Sequence, residues 1–192
     1  MPDIFKLGFK LFVITVVAAF ALSITNMFTE QPILDQIKAA NEIAQKDVLA
    51  NAEHFDSIYS YDDDISTNES EEYPMVLEVH KAYNESRISG YTLKIANMAY
   101  GGELILIVGI NVDGTVEGIR IMQHKETPGL GANAQKPKFY DQYVDKTAQT
   151  HIDSDEVSVI SGATITTNAV TASVNAAIDY YNSELVAGGG NQ

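Results

Sequence analysis

The chain has 192 residues, of which 45% are hydrophobic, enough for one sizeable core beside a short anchor. It contains no cysteine, which excludes disulfides, thiolate metal sites, cysteine-ligated iron–sulfur clusters and a thiol nucleophile. The net charge is −14, and 25 of the 26 acidic but only 10 of the 12 basic residues lie beyond Lys10. Such a field repels phosphate backbones, so nucleic acid is not expected as a partner.

Lys6 and Lys10 precede an apolar run, and from Leu7 to Thr25 there are 19 positions with Lys10 as the only charge. At 1.5 Å per residue the run is about 28 Å long, sufficient to cross a hydrocarbon core. The lysines before it and the acidic excess after it place the N-terminus in the cytoplasm and the rest outside. Ala19-Phe20-Ala21 imitates a signal-peptide cleavage site, which leaves cleavage as the alternative to a retained anchor.

Thr29-Glu30-Gln31-Pro32 reads as a helix start, and Ile33, Ile37, Ala40, Ala44 and Val48 then recur at helical spacing. A polar, acidic stretch from Asn51 to Glu72 is expected to be a solvated loop. Its Asp62-Asp63-Asp64 lacks the spaced ligands and glycine of a calcium loop. From Tyr73 the pattern turns to strands: Met75 to Tyr83, a turn at Asn84-Glu85-Ser86, then Ile88 to Ile95. Leu104 to Val108 is a continuous apolar run, read as a buried central strand, with a turn at Asn111–Gly114 and a partner from Val116 to Met122. His124 to Gln135 is irregular, and Phe139 to Tyr143 forms a short helix. Val170, Val174, Ala177, Ile178, Tyr181 and Leu185 mark one face of a closing helix, ended by Gly188-Gly189-Gly190.

The predicted class is α+β: a single N-terminal transmembrane helix, then one domain with a mainly antiparallel sheet and packed helices. The expected divisions are 1–28 for the cytoplasmic end and span, 29–72 for a linking helix and acidic loop, 73–187 for the domain, and 188–192 for a tail. His54, His80, His124 and His151 show no ligand spacing, so no metal is expected. Asn68-Glu69-Ser70 and Asn84-Glu85-Ser86 match the N-glycosylation sequon.

Ser161-Gly162-Ala163-Thr164-Ile165-Thr166-Thr167 is uncharged and hydroxyl-rich, and it precedes the closing helix. Taken alone it is either a strand-to-helix turn with Thr166 or Thr167 as N-cap, or a phosphate site at the positive end of a helix. A threonine nucleophile needs an adjacent base, and no histidine is near in sequence, so an unaided hydrolase is not expected.

Ser161 to Thr166 resembles the S-G-A-T-x-T flavinylation sequence of the FMN-binding domains of membrane flavoproteins. Tyr100-Gly101-Gly102-Glu103, Asn111-Val112-Asp113-Gly114 and His124-Lys125-Glu126-Thr127-Pro128-Gly129-Leu130-Gly131, in this order after an N-terminal anchor, are similar to the G subunit of the Rnf electron-transport complex. The resemblance implies FMN joined covalently through its phosphate to Thr166 by a flavin transferase that uses FAD as donor. It implies a cofactor site of Thr166, Ser161, Gly162, Ala163, Thr164, Tyr100, Gly101, Gly102, Glu126, Thr127, Gly129 and Leu130. Gly101-Gly102 and Gly129/Gly131 lack side chains and let backbone approach a flat ring, with Tyr100 and Leu130 as apolar walls.

The implied function is electron relay between other membrane subunits of an Rnf-type, ion-translocating ferredoxin:NAD oxidoreductase, as a carrier rather than an independent catalyst. The C subunit of the sodium-translocating NADH:quinone reductase shares the motif and is the related alternative. A non-redox membrane-anchored binding or scaffold domain, with the threonine turn as a helix cap only, is the alternative of another class. Family members often carry aspartate three residues before the motif serine; this chain has Ser158 there, with Asp155 and Glu156 close by.

Overall fold

A computed structural model of the chain describes residues 2–61 and 74–186. The triple aspartate, the Asn68 sequon and the glycine tail lie outside the described residues. The chain divides into two compact units, Met1–Glu42 and Ile43–Gln192.

Helix α1 runs Pro2–Val48. From Ile4 onward it is long and apolar enough to cross a membrane. Threonines along it are satisfied within the helix itself: the hydroxyls of Thr15 and Thr25 donate to the carbonyls of Phe12 and Ala21 at 2.8 and 2.9 Å. A lipid-facing segment requires this internal pairing, because the hydrocarbon offers no partners. The helix start expected at Thr29–Pro32 is absent, because Pro32 lies inside one continuous helix. Proline removes its own N–H from the ladder and crowds the carbonyl four residues before it, yet the helical pattern on both sides carries the element through.

The second unit is built on a five-stranded antiparallel meander in the order β1-β2-β3-β4-β5. The strands are β1 His54–Ser60, β2 Met75–Asn84, β3 Arg87–Ala99, β4 Gly102–Asn111 and β5 Val116–Gln123. β2 to β5 match the strands read from the alternation. β1 lies in the stretch expected to be loop. It is an edge strand held by backbone pairing to β2 and by His54 stacked on Tyr83 at 4.8 Å, so it carries no apolar alternation to betray it.

In β3 and β4 the residues of one parity face the main core. Leu93 pairs with Val108 and Ile95 with Leu106, and β5 adds Ile119 and Ile121 opposite Val108 and Leu106. Each such fully buried side chain contributes roughly 1.5–3 kcal/mol. This face is covered by helix α3 (Thr164–Tyr180), through Val170, Val174, Ala177 and Ile178, and by the short helix α2 (Pro137–Tyr140) with the 3₁₀ turn Asp141–Tyr143. The expected closing helix therefore exists, and a π-helical turn, Tyr181–Val186, extends it.

The opposite face receives the C-terminal end of α1. Ala44 and Val48 pack on Ile107, and Leu49 packs on Ala82. Gly109 and Gly118 are paired across β4 and β5, and both lie under Val48. A Cβ on Gly109 would stand 2.4 Å from the Val48 carbonyl oxygen.

Two outcomes follow from this packing. Gly109→Ala is expected to cost about 1–3 kcal/mol, read as a lower melting temperature, because backbone must move to admit the methyl group. Tyr143 is fully buried, its hydroxyl lies 2.8 Å from Thr171 Oγ1, and burial pushes its pKa up to about 12. The unfolded phenol ionises near its ordinary 10.0, so this stability is fully present below that pH and is lost as pH rises to about 12. The loss is at most about 3 kcal/mol, and chemical denaturation of Tyr143→Phe across this window is expected to show a shallower decline.

Candidate functional site

The turn Ser161-Gly162 delivers the chain into α3. The Ala163 amide donates to the Ile160 carbonyl at 2.9 Å, and Gly162 takes φ +74°, a conformation that suits glycine. Helix α3 then starts at Thr164, with Ala163 as N-cap and no side-chain cap. The amides of Thr164, Ile165 and Thr166 therefore stand without intrahelical partners at the positive end of the helix dipole. Neither Thr166 nor Thr167 is the N-cap, contrary to the capping alternative, because both lie inside the first turn.

The two threonines point to different work. Thr167 is buried; its hydroxyl accepts from the Ile160 amide at 3.1 Å and donates to the Ala163 carbonyl at 3.2 Å. It staples the turn to the helix. Thr166 has 0% exposure, and its hydroxyl donates to Glu126 Oε2 at 2.8 Å.

Glu126 comes from the irregular stretch after β5. It is 7% exposed, and its other carboxylate oxygen accepts the Gly101 amide at 2.7 Å. Its own amide donates to His124 Nδ1 at 3.0 Å, which gives that histidine a local structural role. Beyond it the chain turns at Gly129, φ +81°, and the Leu130 amide returns to the Thr127 carbonyl at 3.1 Å. Gly131 then passes over the carboxylate. A Cβ there would lie 2.0 Å from Glu126 Oε2 and 2.7 Å from Thr166 Oγ1. Likewise a Cβ on Gly101 would lie 2.1 Å from the Lys125 carbonyl oxygen. These glycines make room for protein atoms, where the sequence suggested room for a ring.

These segments enclose a cleft of about 500 Å³, within the range of small-molecule sites. It is lined by Tyr100, Glu126, Thr127, Leu130, Gly131 and Gly162 to Thr166. Of the residues expected from the sequence, Tyr100, Glu126, Thr127, Leu130, Gly162, Ala163, Thr164 and Thr166 meet here. Ser161, Gly101, Gly102 and Gly129 do not line the cleft; Gly101 and Gly129 shape it from behind, through an amide and a turn. Gly131, expected to let backbone approach a ring, lines it too, and Ile165 lines it beyond the sequence expectation. The second glycine of Gly129-Leu130-Gly131 was the visible signal for Gly131, whereas Ile165 had none.

The cleft suits a flat ring joined to a phosphate. Tyr100 is 72% exposed and Leu130 and Ile165 are exposed, so an apolar rim is available for stacking. The uncapped start of α3 offers amide donors for the anion. Among the described residues no cluster of His, Asp and Glu could hold a metal ion. Near the departure at Ser158, the Ser158 amide donates to Gln142 Oε1 at 2.7 Å, and Glu156 pairs with Lys146, which holds its carboxyl below the usual range.

The chain carries an FMN-binding domain, whose family model matches residues 99–179. The chain belongs to the family of G subunits of ion-translocating oxidoreductase complexes. It is 37% identical to the G subunit of the Na(+)-translocating ferredoxin:NAD(+) oxidoreductase complex of Acetobacterium woodii, over 93% of this chain and 91% of that one. It is 32% identical to the G subunit of the ion-translocating oxidoreductase complex of Methanosarcina acetivorans, over 95% and 96%. A solved structure of the C subunit of the Na(+)-translocating NADH-quinone reductase from Parabacteroides distasonis overlaps at 24% identity and a TM-score of 0.47, over 55% of this chain and 60% of that one.

Thr167→Val tests the staple. Losing both bonds leaves the Ile160 amide unpaired and is expected to cost about 1–3 kcal/mol, read as a drop in melting temperature.

Proposed function

We propose that this chain is the membrane-anchored electron-relay subunit of an Rnf-type ion-translocating complex of the ferredoxin:NAD class, carrying FMN through a phosphoester bond to Thr166. The observation that carries this reading is the convergence, in one cleft, of the Thr166 hydroxyl, the free amides of α3 and the apolar rim of Tyr100, Leu130 and Ile165. FMN, when bound, accepts and passes on electrons, work that a chain without cysteine cannot give to a thiolate-held cluster.

The chain's own groups supply binding and position. The uncapped amides of Thr164, Ile165 and Thr166 would receive the phosphate charge, and the positive end of the helix suits an anion even in a chain of net charge −14. Tyr100 and Leu130, exposed on the rim of the cleft, would flank the ring when it is bound. The covalent bond keeps the cofactor from being lost on the extracytoplasmic side.

Lys6 and Lys10 before the apolar run favour a cytoplasmic N-terminus, and with it a cleft on the far side of the membrane. The partners are the other membrane subunits of the complex. Maturation requires a flavin transferase with FAD as donor.

Intact mass and in-gel flavin fluorescence of the full chain, co-expressed with a flavin transferase, test the reading. The expected result is a gain of one FMN less one water, mapped to the peptide containing Thr166. Thr166→Val is expected to abolish it and Thr167→Val to retain it. A colourless chain of unmodified mass would overturn the reading.

A further inference from the structure

We infer that Glu126 is the proton acceptor for Thr166 when the flavin phosphate is joined to it; the inference rests on the reading of Thr166 as the attachment residue. A threonine hydroxyl is a weak nucleophile unless a base within hydrogen-bond reach takes its proton. The sequence shows no base near Thr166, but the fold brings one from 40 residues away. Glu126 Oε2 already accepts the Thr166 hydroxyl proton at 2.8 Å. Among the described residues that hydroxyl has no other acceptor.

The carboxylate is built to stay where it is. The Gly101 amide grips Oε1 at 2.7 Å, leaving Oε2 alone to face Thr166. Gly131 leaves just enough space for the pair, since any Cβ there would collide with both oxygen atoms. Thr166 has no exposed surface, so the phosphorus reaches it only when the Thr127–Gly131 segment draws back. The grip from Gly101 comes from the β3–β4 turn, a segment separate from Thr127–Gly131.

In the transfer step the Thr166 oxygen forms a bond to the flavin-side phosphorus of FAD. The bond from that phosphorus to the bridging oxygen of the pyrophosphate breaks, and AMP departs with that oxygen. The hydroxyl proton passes to Glu126 and then to water, and nothing is oxidised or reduced. The accepting chain thus supplies the base for its own modification, and the transferase supplies the activated flavin donor.

The test uses the full chain in detergent micelles with a purified flavin transferase and FAD, following the rate of mass gain at Thr166. Glu126→Gln is expected to lower the maximal rate about 100-fold while the KM for the acceptor chain stays unchanged. Gly131→Ala is expected to slow loading although both reacting residues remain. In Glu126→Ala, added formate is expected to restore part of the rate, which replacement of a merely structural contact would not do. Loading of Glu126→Gln within about threefold of the unsubstituted chain, or a loss confined to KM, would overturn the inference, as would absence of formate rescue. An unsubstituted chain that takes no flavin, or takes it elsewhere, overturns the attachment reading instead, so the two failures are separable.

Discussion

The Glu126 carboxylate bridges the Gly101 amide and the Thr166 hydroxyl, and three segments far apart in sequence depend on that bridge for their relative placement. The β3–β4 turn presents Gly101, the stretch after β5 presents Glu126, and the first turn of α3 presents Thr166. A carboxylate that is nearly buried must have its oxygens satisfied, because an unpaired charge at that depth is costly. The two donors meet this demand and in doing so set the walls of the cleft. Gly131 fits over the pair only because it has no side chain.

The helix start is arranged around the same place. An N-cap side chain at position 163 would occupy the free amides of α3, and alanine there leaves them open. Thr167 instead stabilises the turn from inside the helix, through the Ile160 amide. The hydroxyl work is thereby divided between neighbours: Thr167 holds the backbone and Thr166 faces the cleft. Further along, Asn97 from β3 donates to the Ala169 carbonyl at 2.9 Å and Tyr143 meets Thr171, which fixes α3 on the sheet at the level where the site needs it.

The sheet provides the rigid support for this geometry. Its core face carries α3, while its other face, at Gly109 and Gly118, admits the end of α1 so closely that backbone touches backbone. The residues facing the cleft come from turns and helix ends, and the residues holding those turns come from the strands. This division lets an apolar, closely packed core coexist with a cleft whose contents are polar and partly open.

Much of this was legible from the chain alone, for physical reasons. Alternation and continuous apolar runs mark β2 to β5 because each face of a strand meets a different environment, and the 3.6-residue pattern marks α3 because one side of it is buried. Absent cysteines and net charge restrict the chemistry without any knowledge of the fold. β1 leaves no such mark because its side chains are almost all exposed and backbone bonds to β2 hold it. The continuity of α1 through Pro32 is equally silent, because one lost donor does not end a helix. The threonine motif and its resemblance pointed to the site and to Thr166, and the tertiary structure added that Thr166 meets Glu126 while Thr167 turns to the Ile160 amide. It also assigned the glycines to carbonyl and carboxylate contacts, and it brought Glu126 to Thr166. Such contacts join residues far apart in sequence, and no local pattern encodes a distance of 2.8 Å between positions 126 and 166.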